Sequence, residues 1–188
     1  MIPKFLVELG EIQSRIEASD HAGTALSCSD AMDRAVALVR DQTAAGRKVI
    51  FVGNGGSAAI ASHQAVDYWK NGGMRAISFN DGALLTCVGN DFGYPHVFEK
   101  PIEMFADPGD VLIAISSSGR SENILRAAQA GARTRCRVVT LSGFGPENPL
   151  RRLGELNFYL PSDSYGFVEI THLAICHCIL DTIIAARG

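Results

Sequence analysis

Residues 49–57 read VIFVGNGGS, so a run of four apolar residues passes directly into a glycine-rich loop. Residues 111–121 repeat this arrangement as VLIAISSSGRS, with a serine-rich loop after the apolar run. A short apolar run bounded by turn residues is typical of a strand buried in a parallel sheet. Each loop is also placed to begin a helix. The two stretches therefore predict a parallel α/β fold with polar loops at two strand ends.

Both loops are suited to holding a phosphate group. Glycine lets the backbone approach an anion closely, and the first amides of a helix point their dipole at it. Four serines within residues 116–121 add neutral donors for the three terminal oxygens of a phosphomonoester. Serine is also a good N-cap, so the alternative is that both loops are only capped helix starts. The occurrence of two such loops at two strand ends favours the phosphate site.

The pattern around these loops predicts the rest of the fold. Strands are expected near residues 48–52, 75–79, 110–115, 137–142 and 156–160. Two leading helices are expected at 4–18 and 29–45, four helices between the strands at 57–70, 82–89, 95–105 and 121–133, and a long C-terminal helix at 165–187. This order predicts an α/β doubly wound, five-stranded parallel sheet flanked by helices, with ligands at the carboxyl ends of the strands. We detect no linker or repeat, so residues 1–188 are expected to form a single domain.

The first helix has more apolar residues than closure of a sheet layer requires. They recur at helical spacing as Phe5, Leu6, Leu9, Ile12 and Ile16. We expect this helix to pack against a partner subunit in a symmetric oligomer. The alternative is that it covers the sheet of its own chain.

Composition narrows the class of protein. The chain has 188 residues, of which 47% are hydrophobic, and its net charge of −3 comes with no basic block. A globular protein with a sizeable core is expected, without a nucleic-acid footprint. No apolar run approaches the roughly 20 residues of a membrane span, and the first residues lack a signal-peptide pattern. Five cysteines without a paired framework favour a reducing compartment. We therefore expect a cytoplasmic protein with no membrane partner.

The first loop also has a competing interpretation. Gly53, Gly55 and Ala58 fit a degenerate dinucleotide-binding fingerprint after a strand. An acidic residue, Asp81, follows the second predicted strand, but later than the usual spacing of about 20 residues. A dinucleotide site also has no use for a second, serine-rich loop. These two points favour a phosphomonoester over a nicotinamide cofactor.

Two helices carry ionisable residues that can meet. His63 and Asp67 are four residues apart on the helix after the first loop, so their side chains share a face. This spacing suits either a metal pair or a hydrogen-bonded acid–base pair. On the last helix, Glu169 and His177 share a broad face but lie about 12 Å apart along the axis. A single ion bound to both would require extended side chains, a distorted helix or a second subunit.

Taken in order, the motifs resemble those of the phosphoheptose isomerases, a branch of the sugar isomerase (SIS) domain family. They are GNGGSAA at 53–59 with the later His63, NDFGY at 90–94, SSSGRS at 116–121, and Glu169, His172 and His177. The match covers nearly the whole chain. The resemblance implies the SIS fold, a homotetramer with active sites at subunit interfaces, and isomerisation of sedoheptulose 7-phosphate to a heptose 7-phosphate. That step feeds the synthesis of bacterial surface polysaccharides such as lipopolysaccharide or capsule.

The resemblance also implies roles for individual positions. Substrate-binding positions are matched by Asn54, Gly55, Gly56, Ser57, Asp91, Ser116, Ser117, Ser118 and Ser121. Metal-associated positions are matched by His63, Asp67, Glu169 and His177, for a divalent cation expected to be zinc. Asp67, Glu169 and His177 are the candidates for catalysis. Three positions depart from the family pattern, because Asp67 replaces a usual glutamate, Glu169 a usual glutamine and Gly166 a common aspartate.

The chemistry implied is aldose–ketose isomerisation through an enediol(ate). This reaction needs a base, an acid and stabilisation of a developing oxyanion. Asp67 or Glu169 can act as the carboxylate base, His177 can relay a proton between the sugar oxygens, and a cation at His63 can polarise the carbonyl. The alternative is a SIS-type binding or assembly module that holds a sugar phosphate without turnover. The retained ionisable residues favour the enzyme.

Overall fold

The centre of the fold is one twisted sheet, which the computed structural model describes within residues 1–187. The strands are β1 (Glu17–Asp20), β2 (Ala25–Leu26), β3 (Val49–Val52), β4 (Ala76–Ser78), β5 (Val111–Ser116), β6 (Arg137–Ser142) and β7 (Leu156–Tyr159). Their order across the sheet is β2-β1-β7-β6-β5-β3-β4. Strands β3 to β7 run parallel, whereas β1 is antiparallel to both β2 and β7.

Helices lie on both faces of the sheet. They are α1 (Ile2–Gln13), α2 (Cys28–Ala44), α3 (Gly56–Lys70), α4 (Gly82–Phe92), α5 (Glu99–Phe105), α6 (Glu122–Arg133) and α7 (Tyr165–Ala185). Two short 3-10 segments lie at Tyr94–His96 and Pro149–Arg152. The doubly wound α/β architecture that the sequence predicts is therefore confirmed.

Alternation along the central strands divides the core between the two faces. In β3, Val49 and Phe51 join a cluster with α2, α3 and α7, whereas Ile50 and Val52 join one with α5 and α6. All four side chains are buried, as expected for a strand covered on both faces. The unbroken apolar run at 49–52 thus contributes side chains to the hydrophobic core on both faces of the sheet.

The number of strands differs from the prediction. The five predicted parallel strands are present as β3 to β7, and the structure adds the antiparallel pair β1 and β2, giving a seven-stranded sheet. The sequence of β1 is EASD, which has no apolar run to signal a strand. It forms because all four residues pair with β7, and because the Asp20 carboxylate accepts hydrogen bonds from the amides of Ala22 and Thr24.

Two predicted helices also change at their ends. The first helix was expected over 4–18 but ends at Gln13, because residues from Glu17 onwards pair with β7. The helix expected over 95–105 is divided into the segment Tyr94–His96 and α5, with the buried Val97 and Phe98 between them.

The long last helix qualifies the expectation about membrane spans. Within residues 1–187, α7 is long and apolar enough to match a span by length and composition, with a mean hydropathy of 1.6 over its most apolar 18 residues. Its Ile175, Ile179 and Ile183 are nonetheless buried in the cluster shared with α2 and α3. A core helix covering a sheet passes the same test of length and composition. We therefore describe α7 as a core helix.

The topology fixes where a ligand can bind. Strands β3 and β5 are parallel neighbours, but β3 leads into α3 on one face and β5 leads into α6 on the other. A crevice opens between the carboxyl ends of two such strands, and open α/β sheets bind their ligands there. Both loops singled out in the sequence lie at this crevice.

Candidate active site

The first loop brings the beginning of α3 to the crevice. Gly55 has a φ of +54°, a conformation that glycine adopts without strain. Gly56 is the first helical residue, and Ser57 is buried behind it. The unpaired amides at the beginning of α3 therefore face the space beyond β3, where the helix dipole attracts an anion.

The second loop brings the beginning of α6 to the same crevice. Ser121 is the residue before the first helical turn, and its hydroxyl oxygen accepts a hydrogen bond of 3.3 Å from Ser116 Oγ. Ser118 Oγ accepts a hydrogen bond of 3.2 Å from the Arg120 amide, which leaves its own proton free to donate. Two helix beginnings and several hydroxyl groups thus converge on one point.

A cavity of about 240 Å³ lies between the two loops. Its walls are formed by Asn54, Gly55, Gly56, Ser57, Ile115, Ser116, Ser117, Ser118, Ser121, Tyr165 and Glu169. Eight of these residues are among the nine predicted substrate-binding residues, which the structure therefore brings together apart from Asp91. We call this cavity the anion cradle. Within residues 1–187, its lining includes no lysine, arginine or histidine, and it includes one carboxylate.

Buried polar contacts hold the second loop in place from beneath. The Asn148 amide is buried and donates to Ser142 Oγ and to the carbonyl oxygens of Gly143 and Gly145. Its side chain also fills the space where a Cβ on Gly119 would lie. The serine loop is therefore braced by the segment that follows β6.

A histidine of α7 supports the same segment. His172 Nε2 donates a hydrogen bond of 3.2 Å to the carbonyl oxygen of Ser142, and the next amide, that of Gly143, donates to the Ser117 carbonyl oxygen at 2.9 Å. Complete burial lowers the pKa of His172 to about 4, although the hydrogen bond to Ser142 opposes this shift. His172 is therefore neutral at physiological pH and acts as a fixed support for the loop.

A second group of polar side chains lies further along α3. His63 Nε2 is 3.3 Å from Asp67 Oδ2, and the His63 and His177 rings have centroids 5.5 Å apart. Ligand atoms of His63, Asp67 and His177 all lie within 4.8 Å of one another. The side chain of His63 is 52% exposed and that of Asp67 only 17%, so the group opens to solvent on one side. We call it the His–Asp–His cluster.

The chemistry of this cluster fits a divalent cation. Two imidazoles and one carboxylate are ligands that Zn²⁺ accepts, and three protein ligands with an open fourth position are typical of catalytic zinc sites. Without a cation, the same three groups form an acid–base set in which Asp67 is held by His63.

Two predicted site residues do not lie where the resemblance implies. Glu169 lies in the anion cradle, with its carboxylate against Gly56, and does not join His63, Asp67 and His177. Asp91 is exposed near the end of α4, where it accepts a hydrogen bond of 2.8 Å from Asn90 Nδ2, and it does not line the cradle. The predicted metal set of His63, Asp67, Glu169 and His177 is therefore reduced here to three residues, and the axial separation of about 12 Å between Glu169 and His177 accounts for the difference.

Three residues near the cradle were not predicted. Tyr165, the first residue of α7, lines the cavity and packs its ring on Phe144 with centroids 4.8 Å apart. Tyr94 and Asn123 both hydrogen-bond to Asn54. In the sequence, Tyr94 is marked only as the last residue of the NDFGY motif, and Asn123 only by its place shortly after the serine loop. Their proximity to Asn54 arises from the folding of the chain.

The sheet, its crevice and the paired loops define a SIS domain, and the model of the SIS domain family matches residues 17–143. Phosphoheptose isomerases from Geobacter sp. (strain M21) and Bradyrhizobium sp. (strain BTAi1) are 35% and 39% identical to this chain, each over 183 residues. The alignments cover 93% of this chain and 95% of the first relative, and 90% of this chain and 90% of the second.

Structural similarity extends over the same length. The structure of a phosphoheptose isomerase from Francisella tularensis superposes with a TM-score of 0.83 and 27% sequence identity, covering 98% of this chain and 96% of that one. The chain therefore belongs to the phosphoheptose isomerase branch of the SIS domain family.

Proposed function

We propose that this phosphosugar isomerase converts sedoheptulose 7-phosphate to a heptose 7-phosphate, a step that supplies heptose for bacterial surface polysaccharides. One observation carries the proposal. A cradle for an anion and a separate acid–base cluster lie along the same helix, with Ser57 and His63 about 9 Å apart along the axis of α3. This spacing suits a substrate whose phosphate and carbonyl are at opposite ends of a carbon chain.

The cradle would hold the phosphate through neutral donors. Amides at the beginnings of α3 and α6, together with the serine hydroxyls, supply hydrogen bonds to the three terminal oxygens. Binding energy from this remote end orients C1 and C2 at the His–Asp–His cluster. The reacting carbons and the phosphate therefore depend on different residues.

Proton transfer is assigned to the cluster. Asp67 abstracts the proton from the carbon next to the carbonyl, giving an enediol(ate), and returns it to the neighbouring carbon. His177 moves a proton between the two sugar oxygens. Glu169 is not assigned as the base, because it lies at the phosphate end with its carboxylate against Gly56.

A divalent cation, which we propose to be zinc, would be held by His63, Asp67 and His177. When bound, it would supply Lewis-acid polarisation of the substrate carbonyl. The carboxylate and imidazoles of the cluster still have to orient the sugar oxygens.

The setting of the enzyme is part of the same proposal. All five cysteines are free, which supports a reducing cytoplasm. Every strand described joins one sheet, which supports a single SIS domain over residues 1–188. The exposed apolar residues of α1 support assembly into a homo-oligomer, which we take to be a tetramer.

Exchange of solvent deuterium into the C1–C2 unit of sedoheptulose 7-phosphate tests the reaction directly. His177→Ala and Asp67→Asn should each slow exchange by roughly 10²-fold or more, because each removes a proton-transfer group. Affinity for inorganic phosphate should stay unchanged in both. His21→Ala is the matched control, since His21 is an exposed histidine on the β1–β2 turn. Wild-type protein that binds the sugar phosphate but shows no exchange, with or without added Zn²⁺, would instead be a binding module.

A further inference from the structure

The side-chain amide of Asn54 is held by two residues from distant parts of the chain. Tyr94 Oη donates a hydrogen bond of 3.0 Å to Asn54 Oδ1, and Asn123 Nδ2 donates one of 2.9 Å to the same oxygen. Asn54 Nδ2 in turn donates a hydrogen bond of 2.9 Å to Asn123 Oδ1. Asn54 therefore has a reciprocal pair with one partner and a third hydrogen bond from the other.

Counting donors and acceptors shows what remains for a ligand. An amide oxygen has two lone pairs, and both are used by Tyr94 and Asn123. The amide nitrogen has two hydrogens, and Asn123 accepts one of them. The second N–H of Asn54 has no partner in this network. Because Asn54 lines the cradle, this N–H is available to an acceptor bound there.

We propose that Tyr94 and Asn123 are positioning residues that fix the amide of Asn54, so that it presents one N–H donor to the phosphate end of the substrate. This inference rests on the proposed function. A side-chain amide that can rotate offers either a donor or an acceptor, and an acceptor repels a phosphate oxygen. Fixing the amide removes the unfavourable orientation before the ligand arrives.

One of the two positioning residues is buried and the other is exposed. Asn123 is buried, 2% exposed, and is the second residue of α6, so it links the first loop to the element that carries the second. Tyr94 is 59% exposed and follows Gly93, whose φ is +86°. Its ring is not packed in the core. Its hydroxyl group makes the hydrogen bond to Asn54.

Tyr94→Phe is the most informative single change, because it removes one hydroxyl and keeps the ring. We expect the Kd for sedoheptulose 7-phosphate, measured by calorimetry, to rise about three- to tenfold. The KM should rise by the same factor with kcat unchanged, because a contact to the phosphate end stabilises the ground state and the transition state equally. Asn123→Asp, which replaces the donor to Asn54 Oδ1 with a carboxylate oxygen, should raise the Kd further.

Combining Tyr94→Phe with Asn54→Ala distinguishes a positioning role of Tyr94 from a direct contact with the ligand. In Asn54→Ala, the added change Tyr94→Phe should leave the Kd where Asn54→Ala alone puts it, because Tyr94 acts only through Asn54. An equal rise in Kd in both backgrounds would overturn the inference, and so would an unchanged Kd for Tyr94→Phe in the wild-type background. A fall in kcat at constant KM would also overturn it, because partial loss of folded protein has that signature.

The measurements also distinguish this inference from the proposed function. The Kd values do not require turnover, so they test positioning even when the wild-type protein shows no isomerisation. Inorganic phosphate serves as a second probe of the cradle and should show the same order of affinities. Wild-type protein that binds neither ligand would contradict both the proposed function and the positioning role.

Discussion

At the scale of single residues, Glu169 is the least expected feature of the anion cradle. Its carboxylate lies against Gly56, at the beginning of α3, where the helix dipole favours a negative charge. A phosphate needs the same amides, and no basic side chain from residues 1–187 lines the cavity to offset the carboxylate. The carboxylate and the phosphate therefore compete for the same amides and the same helix dipole at the beginning of α3.

Replacing this carboxylate should improve phosphate binding. In Glu169→Gln we expect inorganic phosphate to bind roughly 3- to 30-fold more tightly, because repulsion between two partly exposed charges is removed. Titration calorimetry of both proteins at one ionic strength measures the difference. Glu147→Gln is the control, because Glu147 is an exposed acid paired with Arg152 on the surface. Tight phosphate binding with turnover lost would identify Glu169 as the base in place of Asp67.

A change in the serine loop should instead weaken phosphate binding, and by a smaller amount. Ser118→Ala should weaken binding of a sugar phosphate by about 1 kcal/mol or somewhat more, because one hydrogen bond to a charged acceptor is lost. Calorimetry on the variant tests this, with Ser14→Ala, at the exposed end of α1, as the control. Unchanged affinity in Ser118→Ala would exclude its hydroxyl from the phosphate contacts.

The residues of the cradle differ in how far the sequence could predict them. The two loops were predictable because each is a local signal, in which an apolar run is followed by glycine or serine and then a helix. The positions of Tyr94 and Asn123 were not, because their bonds to Asn54 join residues 40 and 69 positions apart. Such contacts depend on the order of strands in the sheet, which local periodicity does not specify.

At the scale of elements, the same distinction applies to the strands. Strands β3 and β5 are continuous apolar runs covered on both faces, so composition alone indicated them. β1 has no such run and exists through its pairing with β7 and a turn closed by Asp20. A strand of this kind depends on tertiary contacts, and for that reason the predicted first helix extended too far.

The contact between α7 and the end of β6 gives a pH-dependent prediction. His172 has a pKa of about 4 in the folded chain because of its burial, against an ordinary value of 6.5. Its neutral form is favoured in the folded state, so this stabilisation is complete above about pH 6.5 and is lost as the pH falls towards 4. The full effect corresponds to roughly 3 kcal/mol in the free energy of unfolding.

Denaturant unfolding at pH 7.5 and pH 4.5 tests this prediction. His172→Gln keeps a donor for the Ser142 carbonyl oxygen but does not titrate, so its unfolding free energy should fall by roughly 2–3 kcal/mol less than that of the wild type between the two pH values. Both proteins are compared at one concentration. Parallel pH profiles would show that His172 is not the group responsible.

The turn between β5 and α6 has a glycine that its geometry requires. Gly119 has a φ of +60°, and a Cβ there would overlap the buried side chain of Asn148. Gly119→Ala should therefore displace the serine loop and weaken phosphate binding at least tenfold, with a loss of stability of about 2 kcal/mol or more. Gly82→Ala is the matched control, because its Cβ would meet open space at an ordinary φ. Equal behaviour of the two variants would refute the role of this turn.

At the scale of the whole molecule, α1 is the element whose packing the single chain leaves incomplete. No residue of α1 is buried, and Ile2, Leu6 and Val7 are more than half exposed. Its contact with the rest of the chain includes Phe5, whose ring lies 5.0 Å from that of Phe167 on α7. An apolar face of this kind on a helix is typical of a surface that another subunit covers.

Phe167 also links this surface to the cradle, because it lies two residues after Tyr165, which lines the cavity. A partner subunit that covers the apolar face of α1 would therefore restrict the beginning of α7, which carries both Tyr165 and Glu169. Assembly and substrate binding are expected to depend on each other through this short stretch of one helix.

Leu6→Glu tests the assembly by placing a charge in the middle of the exposed apolar face. We expect light scattering at micromolar concentration to give a homo-oligomer for the wild type and a smaller species for the variant, because a desolvated, unpaired carboxylate opposes association. Lys4→Gln is the control, since Lys4 is an exposed residue of the same helix whose partner is Glu8. The dissociated variant should also bind sedoheptulose 7-phosphate more weakly, because Tyr165 and Glu169 lose the constraint on their helix. A wild-type monomer with full affinity would show that α1 packs only against its own chain. An oligomer unaffected by Leu6→Glu would place the interface on another face.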